Sequence, residues 1–548
     1  MSAPSIAQAL RLLQSGDAHG ALAMATSIAR EVPGDARAHL AAGLALRVLG
    51  RLAEARAALE RASTLAPEDY AAAYELGVVL DLEGATGQAL ARYEGALALR
   101  PDFAAARCAA ARALAALGRF DEALAKIETA LEAAPADPFV LHEKGWILHR
   151  ARRAAEARPL LEAAASARPE RIDWRLDAAK AIADAGDAEA ARAAYAAIVR
   201  DSPDDADALI AAGRFAVSRG DFGIGAQRFA AALPLAPDHA ALPIYLAQAA
   251  LLEGDWDTGW RAYAKREPRR RFEAQRAARG LAYEPPPLSA LRGREITLVG
   301  EQGLGDVLFY LRFAPALAER GAVLDFAGDA RLASLVRRTG LFREVRAGDA
   351  STETIASNPI LVGDLPAVEG MPQLPPSLAL VPDLARLARW TAVLEAAGPR
   401  PWTAIAWRAG TPSDVDAHGL SKNVPLEALC KTLANSRGTV FSLQRRPAAG
   451  EIERSSAALG AGVHDLAHVN DDLEDALAVV ALVDRYVAVS STNMHLAAAA
   501  GARSDVLVPF PPEWRWGAHG ASPWFPGFRV HRQAPDGTWT TALAGLAG

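Results

Sequence analysis

Two short stretches carry residue types suited to chemistry. The first, "EQGLGDVLFY" (301–310), follows the apolar run "ITLVG". Gly303 and Gly305 predict a tight turn that lets a ligand approach bare backbone, with Gln302 just before it. Asp306 falls at the start of the helix that follows, where an acid either caps the N-terminus or faces whatever occupies the turn. The second stretch, "SSTNMHLAAAAG" (490–501), follows "YVAV". Ser490, Ser491, Thr492 and Asn493 are read as opening a helix whose first backbone amides suit an anion. His495 lies inside that helix and reads as a buried or supporting histidine in preference to a catalytic one.

Such turns need strands leading into them. After the Pro-rich "LAYEPPPLSALRG", short apolar runs alternate with helical patterns: "ITLVG" (296–300), "AVLDFAG" (322–328), "PILVGD" (359–364), "TAIAWRAG" (403–410), "TVFSLQ" (439–444), "RYVAVSS" (485–491) and "DVLVPF" (505–510). This alternation predicts parallel sheets with helices on both faces, whose ligands sit beyond the carboxyl ends of the strands. "EQGLGD" falls at such an end. A Pro-marked break in "AAGPRPW" separates two Rossmann-like halves, 291–396 and 397–548, behind a linker over 272–290. "DVD" (414–416) has the form of a metal-binding acid pair, but it lies in a polar loop and reads as coincidence. No His/Cys metal cluster and no Walker loop accompanies it, so no metal is expected.

The first half follows a different rule. Prolines recur at Pro33, Pro67, Pro101, Pro135, Pro169, Pro203 and Pro237, one every 34 residues. Small residues keep phase at Gly43, Gly77, Ala111, Gly145, Ala179, Gly213 and Ala247, and again at Ala21, Ala55, Ala89, Ala123, Ala157, Ala191, Gly225 and Gly259. A third series, Gly16, Gly50, Gly84, Gly118, Gly186, Gly220 and Gly254, is broken at Arg152. Small residues let paired helices approach, the third series turns each hairpin, and proline ends the second helix. With this period and these positions, 1–271 resembles the tetratricopeptide repeat (TPR), an α-helical solenoid of about eight hairpins. The eighth hairpin departs by carrying Trp256 and Trp260, as expected of a unit that docks on something else. The usual phasing of such repeats puts Leu40, Leu44, Tyr74, Val78, Phe139, His142, Trp146, Leu176, Ile210 and Arg214 on the inner face. That groove suits an amphipathic helix from a partner protein; packing between neighbouring units is the alternative for each residue. The basic run "AKREPRRRFEAQR" (264–276) reads as a solvated helix end and linker.

Composition narrows the class. A formal net charge of -6 gives no sign of a nucleic-acid partner. Cys108 and Cys430 are far apart and form neither a disulfide framework nor a metal spacing, which suits a reducing cytoplasm. The opening "MSAPSIAQALRLLQSGD" lacks a secretory pattern, and no run reaches the roughly 18 to 20 apolar residues a membrane span needs. A soluble, cytoplasmic, multidomain protein is expected.

"GEQGLGDVLFYLRFAPAL", "SLQ", "STNMHLAAAAG" and "PPEWRWG…SPWFPGFRVHRQ", in that order behind the repeats, resemble the TPR-linked glycosyltransferases of GT-B fold related to the bacterial heptosyltransferases. Among these the patterns look most like the flagellin glycosyltransferases. The resemblance implies an inverting, metal-independent transferase without a cofactor. It would move a sugar from a nucleotide-activated donor to Ser/Thr of flagellin recruited by the solenoid. The donor implied is a CMP-linked nonulosonic acid such as pseudaminic acid. Asp306 takes the place of the proposed general base, in an acceptor loop with Gln302, Gly303 and Gly305. Ser490, Ser491, Thr492 and Asn493, with His495 behind them, would receive the donor phosphate. Arg408, Lys422, Arg445 and Arg446 would clamp it, each with a solvated surface role as its alternative. Gln444 would contact the base or ribose. Where the heptosyltransferases carry an aspartate, this chain has Ser490. A hydroxyl there would favour a donor bearing a carboxylate; loss of an acid is also what a decayed enzyme would show. Trp514 and Trp516 read either as stacking on a base or sugar or as buried between the halves. The tail "GTWTTALAGLAG" is expected to pack back onto the first α/β half. Two other functions fit the same chain: a transferase acting on lipopolysaccharide or another glycan, and a TPR adaptor with an inactive glycosyltransferase-like domain.

Overall fold

The computed structural model describes residues 5–348, 358–409 and 422–546; "DVD" lies outside the described residues. The chain forms two compact units, Met1–Pro203 and Asp204–Gly548.

The first unit is six helical pairs: α1 (Ile6–Gln14) with α2 (Ala18–Glu31), α3 (Ala36–Val48) with α4 (Leu52–Leu65), α5 (Tyr70–Leu82) with α6 (Thr86–Leu99), α7 (Ala104–Ala116) with α8 (Phe120–Ala133), α9 (Pro138–Arg150) with α10 (Ala154–Ala167), and α11 (Ile172–Asp184) with α12 (Ala188–Asp201). Aspartates open many of these helices; Asp17, Asp35, Asp69, Asp137 and Asp187 each accept a backbone N–H of the first turn. The turn glycines, from Gly16 to Gly186, are left-handed with φ between 72° and 94°. Arg152, where that series breaks, takes the same conformation at φ 63°. The in-phase glycines serve a different need, which is space. A Cβ on Gly43, Gly77 or Gly145 would stand 2.5, 2.6 or 2.7 Å from the side chain of Leu59, Tyr93 or Leu161.

The second unit opens with two more pairs, α13 (Ala206–Ser218) with α14 (Phe222–Ala232) and α15 (Leu242–Glu253) with α16 (Trp256–Tyr263), then α17 (Glu267–Ala277). The surface on which Trp256 and Trp260 dock is the α/β region. Their rings lie 5.3 and 6.0 Å from Trp524, and Trp260 is 5.2 Å from Trp514. The stretch read as a linker is helical to Ala277, and Phe272 is buried beside Val299, Leu361 and Tyr283. The basic run is likewise not wholly solvated, since Arg266 and Arg276 are buried.

Two parallel sheets follow. The first holds β1 (Glu295–Val299), β2 (Val323–Gly328), β3 (Glu344–Ala347) and β4 (Pro359–Leu361) in the order β3-β2-β1-β4. Helices α18 (Leu304–Tyr310), α19 (Ala314–Glu319) and α20 (Ala333–Arg338) belong to this half, and α21 (Leu384–Ala397) leads to the next. The second sheet holds β5 (Trp402–Ala406), β6 (Thr439–Ser442), β7 (Val463–Asp465), β8 (Arg485–Val489), β9 (Ser504–Val508) and β10 (Arg529–Arg532) in the order β10-β9-β8-β5-β6-β7. Its helices are α22 (Leu426–Leu433), α23 (Glu451–Leu459), α24 (Leu473–Leu482), α25 (Thr492–Ala499) and α26 (Thr540–Ala544). All strand pairs in both sheets are parallel. The order reverses between β1 and β4 in one sheet and between β5 and β8 in the other, the places where such sheets open a crevice. The C-terminal tail packs within its own half, contrary to the sequence expectation. Trp539, Ala542, Leu543 and Leu546 are buried with Trp407 and with Leu426, Leu429 and Leu433 of α22, so the apolar side chains of the tail find their cover within this half.

Candidate functional site

The two chemistry-bearing turns meet. After β1, Gly303 caps α18 and Asp306 stands in its first turn. Asp306 does not act as a helix cap: its Oδ1 accepts from Arg515 Nη2 at 2.5 Å. Gly305 is tight for a reason other than substrate access. A Cβ there would lie 2.9 Å from His495 Cδ2 and 3.4 Å from Thr492 Cα, so α18 rests directly on α25. Neither Gly303 nor Gly305 is left-handed.

On the other side, Ser491 is the N-cap residue of α25. Ser490 Oγ donates to Glu513 Oε2 at 2.9 Å, and the other oxygen of Glu513 faces Lys422 Nζ. An acid therefore does stand at Ser490, supplied from another part of the chain. That removes the premise that a bare hydroxyl there selects a donor bearing a carboxylate. Asn493 Nδ2 donates to Asn470 Oδ1 at 2.8 Å, and Asn470 in turn binds the carbonyl of Leu443, which ties the end of β8 to the end of β6.

Charge around this junction is arranged in pairs. Burial opposes the charge on Arg515, but Asp306 and Glu513 more than offset it and its pKa is raised. Glu513 is held below the usual carboxylate range: burial would raise it, and Lys422 and Arg515 outweigh that. His495 is pushed well below the ordinary histidine value by burial and then by Arg515, Arg312 and Lys422, so it is neutral. It packs edge-on against Phe309 and Phe525. Arg312 is buried between Phe309 and Phe525 and donates to the carbonyl of Trp524 and to Ser377 Oγ. Burial, with Arg515 nearby, lowers its pKa to about 9.

The crevice of the first sheet is filled by the chain itself. Arg266 Nη2 donates to Glu301 Oε1 at 2.6 Å and its Nη1 to Asp364 Oδ1 at 2.5 Å. Tyr283 Oη donates to Asp364 Oδ2 at 2.5 Å, and Tyr263 Oη to Gln302 Oε1 at 2.8 Å. Gln302, placed in the acceptor loop by the sequence, is thus tied to α16 and to Glu301.

Other predicted contacts also turn inward. Gln444 is buried; its Oε1 accepts from the backbone of Trp407 and Arg408, and its Nε2 donates to the carbonyls of Arg408 and Arg445. It shapes the loops beyond β5 and β6 and leaves no amide atom for a base or ribose. Arg408 is paired with Glu451 and the carbonyl of Arg446, whereas Arg445 and Arg446 have exposed side chains. Trp514 and Trp516 are buried, the second stacked on Phe525 and Phe528, so neither presents a face to a ligand. The residues that the sequence did not single out are Glu513 and Arg515, which alternate with those tryptophans. Among the described residues no group of His, Cys, Asp and Glu is arranged to hold a metal ion.

Within the first unit, Leu40, Leu44, Tyr74, Val78, Trp146 and Leu176 are half-buried, and Phe139 is 45% exposed. His142 is buried, stacked on Trp174 with ring centroids 4.6 Å apart and bonded to Asp177, so it packs within the repeats instead of lining a groove. Arg112 lies 4.3 Å over the Trp146 ring. In the second unit Ile210 is buried and Arg214 exposed, so Ile210 is a packing residue as well.

Models of the tetratricopeptide repeat match residues 82–141 and 148–215, and a second set matches 6–69 and 40–90. Protein FlbA of Caulobacter vibrioides is 28% identical over 284 residues, covering 47% of this chain. The match spans 46% of FlbA, so about half the length of that relative is represented. Among solved structures, a tetratricopeptide repeat protein from Parabacteroides merdae is similar at 16% identity and a TM-score of 0.39, over 44% of this chain and 95% of that one. A thermophilic TPR protein of Thermus thermophilus is similar at 23% identity and a TM-score of 0.30, over 33% and 97%. No helix among the described residues is long and apolar enough to cross a membrane. The repeat matches and the helical pairs together show that the chain contains tetratricopeptide repeats, followed by an α/β region of two parallel sheets.

Proposed function

We propose that the chain transfers a sugar from a nucleotide-activated donor to a hydroxyl of a protein recruited by its solenoid, with flagellin the acceptor that the family resemblance suggests. The supporting observation is the contact of Gly305 with Thr492 and His495, which sets Asp306 beside the opening of α25 at the carboxyl ends of two parallel sheets. In this reading the donor phosphate lies at the first turn of α25, near Lys422 and Arg515, where amide dipoles and cations stabilise a leaving phosphate. The acceptor oxygen bonds to the anomeric carbon as that carbon's bond to the phosphate oxygen breaks. The electron pair leaves on the nucleotide phosphate, and the hydroxyl proton passes to Asp306. A base so placed contributes typically ~10²–10⁴-fold. With Glu513 beside Ser490, a CMP-linked nonulosonic acid rests on the resemblance alone, and ADP-heptose is the direct competitor to test against it.

The test is intact-mass spectrometry of flagellin co-expressed with the full chain and a nonulosonate pathway, wild type against Asp306→Asn. A sugar-sized increment with wild type only supports both the acceptor and the base; an increment with both proteins removes Asp306 from its role. A second reading, an adaptor with an inactive domain, is favoured by the inward engagement of Gln302, Gln444 and Ser490. It expects flagellin binding with no increment and no nucleotide binding.

A further inference from the structure

Arg515 has more hydrogen-bonding capacity than its surroundings use. Its Nη2 donates to Asp306, whereas its Nε is buried without a partner. The adjacent carboxylate is already engaged, because Glu513 faces Lys422 and accepts from Ser490. Arg515 is therefore paired with one carboxylate, on the opposite α/β half, and lies over the rings of Phe309 and Trp514; the Asp306 side chain is 36% exposed and that of Arg515 12%. An anion that takes the two-donor fork of Nε and Nη2 must compete with Asp306, which already holds Nη2. The opening of α25 lies alongside. Gly305, next to Asp306, touches Thr492 and His495 at the opening of α25, and the Nδ1 of His495 is buried with no partner.

We propose that Arg515 exchanges partners: with the site empty it neutralises Asp306, and when a nucleotide phosphate binds at α25 it turns to the phosphate and releases Asp306. This rests on the transferase reading above and adds an order to it. A carboxylate bound to a guanidinium is a poor proton acceptor, since the charge-assisted bond must break before a proton can be taken. A phosphate carries more charge than a carboxylate and offers more acceptor oxygens, so it competes well for the same donor. The acceptor hydroxyl is then activated only when the donor is in place.

Competition for one cation has a reciprocal consequence that affinity can read. Titration calorimetry of the full chain with CMP, UDP and ADP compares wild type, Asp306→Asn, Arg515→Met and the double variant. For a nucleotide that wild type binds, Asp306→Asn is expected to tighten binding by about 5- to 50-fold and Arg515→Met to weaken it similarly. The double variant is expected to bind no more tightly than Arg515→Met. Affinity unchanged or weakened in Asp306→Asn overturns the exchange. Because that variant leaves a buried guanidinium without its counter-ion, the wild-type protein is also labelled with a carbodiimide and an amine and mapped by mass spectrometry. Asp306 should label several-fold faster with nucleotide bound; an unchanged or slower rate overturns the proposal. Nucleotide binding without these effects removes the exchange alone. No nucleotide binding by any of the proteins removes the transferase reading with it.

Discussion

Gly305 of α18 and His495 of α25 approach so closely that a Cβ on the glycine would stand 2.9 Å from the imidazole Cδ2. The glycine is there for space and not for its backbone freedom, because its φ is not in the left-handed region. The contact joins the two α/β halves at the point where both candidate turns open. A side chain at this position must push one helix off the other, and overpacking of this kind costs about 1–3 kcal/mol. Gly305→Val is therefore expected to lower the thermal midpoint of the full chain, and Gly305→Ala to do so less. Equal midpoints for all three proteins would show that the two helices are not in contact.

His495 also carries a pH signature. Burial and the cations Arg515, Arg312 and Lys422 hold it well below the ordinary value of 6.5, so the folded protein keeps it neutral. The unfolded chain binds that proton more readily than the folded one. Its share of stability is thus fully present above the unfolded value and is lost as the pH falls below it. Replacing His495 with Gln is expected to reduce the loss of stability between pH 7.5 and pH 5, read as urea midpoints. An identical loss in both proteins would mean that the imidazole titrates normally.

How far the chain could be read beforehand depended on whether a residue type has one use or several. The hairpins were legible because each repeat reuses one contact, a small residue under a large one, as Gly77 lies under Tyr93. Strands β1, β5 and β8 announced themselves as apolar on both faces. β3, β7 and β10 are three or four residues long and carry charged or polar side chains, so no apolar run marked them. In the site, the turns at Asp306 and Ser490 were visible as strand ends running into helices. Their partners were not. In "EWRW" the two tryptophans are buried, and the charged residues that alternate with them, Glu513 and Arg515, meet Ser490, Lys422 and Asp306. Gln444 shows the same ambiguity from the other side. An amide that organises two loops needs the same donors and acceptors as one that reads a nucleotide, and sequence does not separate them.

Arg152 turns the fifth hairpin in a conformation that its neighbours give to glycine. A left-handed residue with a Cβ costs roughly 1–2 kcal/mol, part of which glycine returns through its looser unfolded state. Arg152→Gly is expected to stabilise the full chain by about 0.5–1 kcal/mol on this account. Chemical denaturation checks it, as a higher midpoint with an unchanged slope. No gain would mean that Arg152 makes compensating contacts.

Asp505 is the carboxylate on which the far edge of the second sheet depends. Its Oδ2 accepts from Arg485 at 2.7 Å and Arg529 at 2.9 Å, while His531 Nε2 is 2.7 Å from Oδ1. Arg485 reaches on to the carbonyl of Leu546, so one acid links β8, β9, β10 and the tail. Burial would raise the carboxyl, but the hydrogen bonds from His531, Arg485 and Arg529 prevail and its pKa is depressed. The sign follows: its stabilisation is present above the ordinary carboxylate value and is lost as the pH falls towards the folded value. Breaking a buried pair by removing one partner costs about 3–5 kcal/mol, and the half-exposed Arg529 puts this site at the lower end. Asp505→Asn is expected to destabilise the full chain by about 3 kcal/mol, equally at pH 7.5 and pH 5, and to speed amide exchange across 529–546. A gap that fails to narrow as the pH falls further, from 5 to 3, would mean that the carboxyl titrates in the ordinary range and that Arg485, Arg529 and His531 do not hold it.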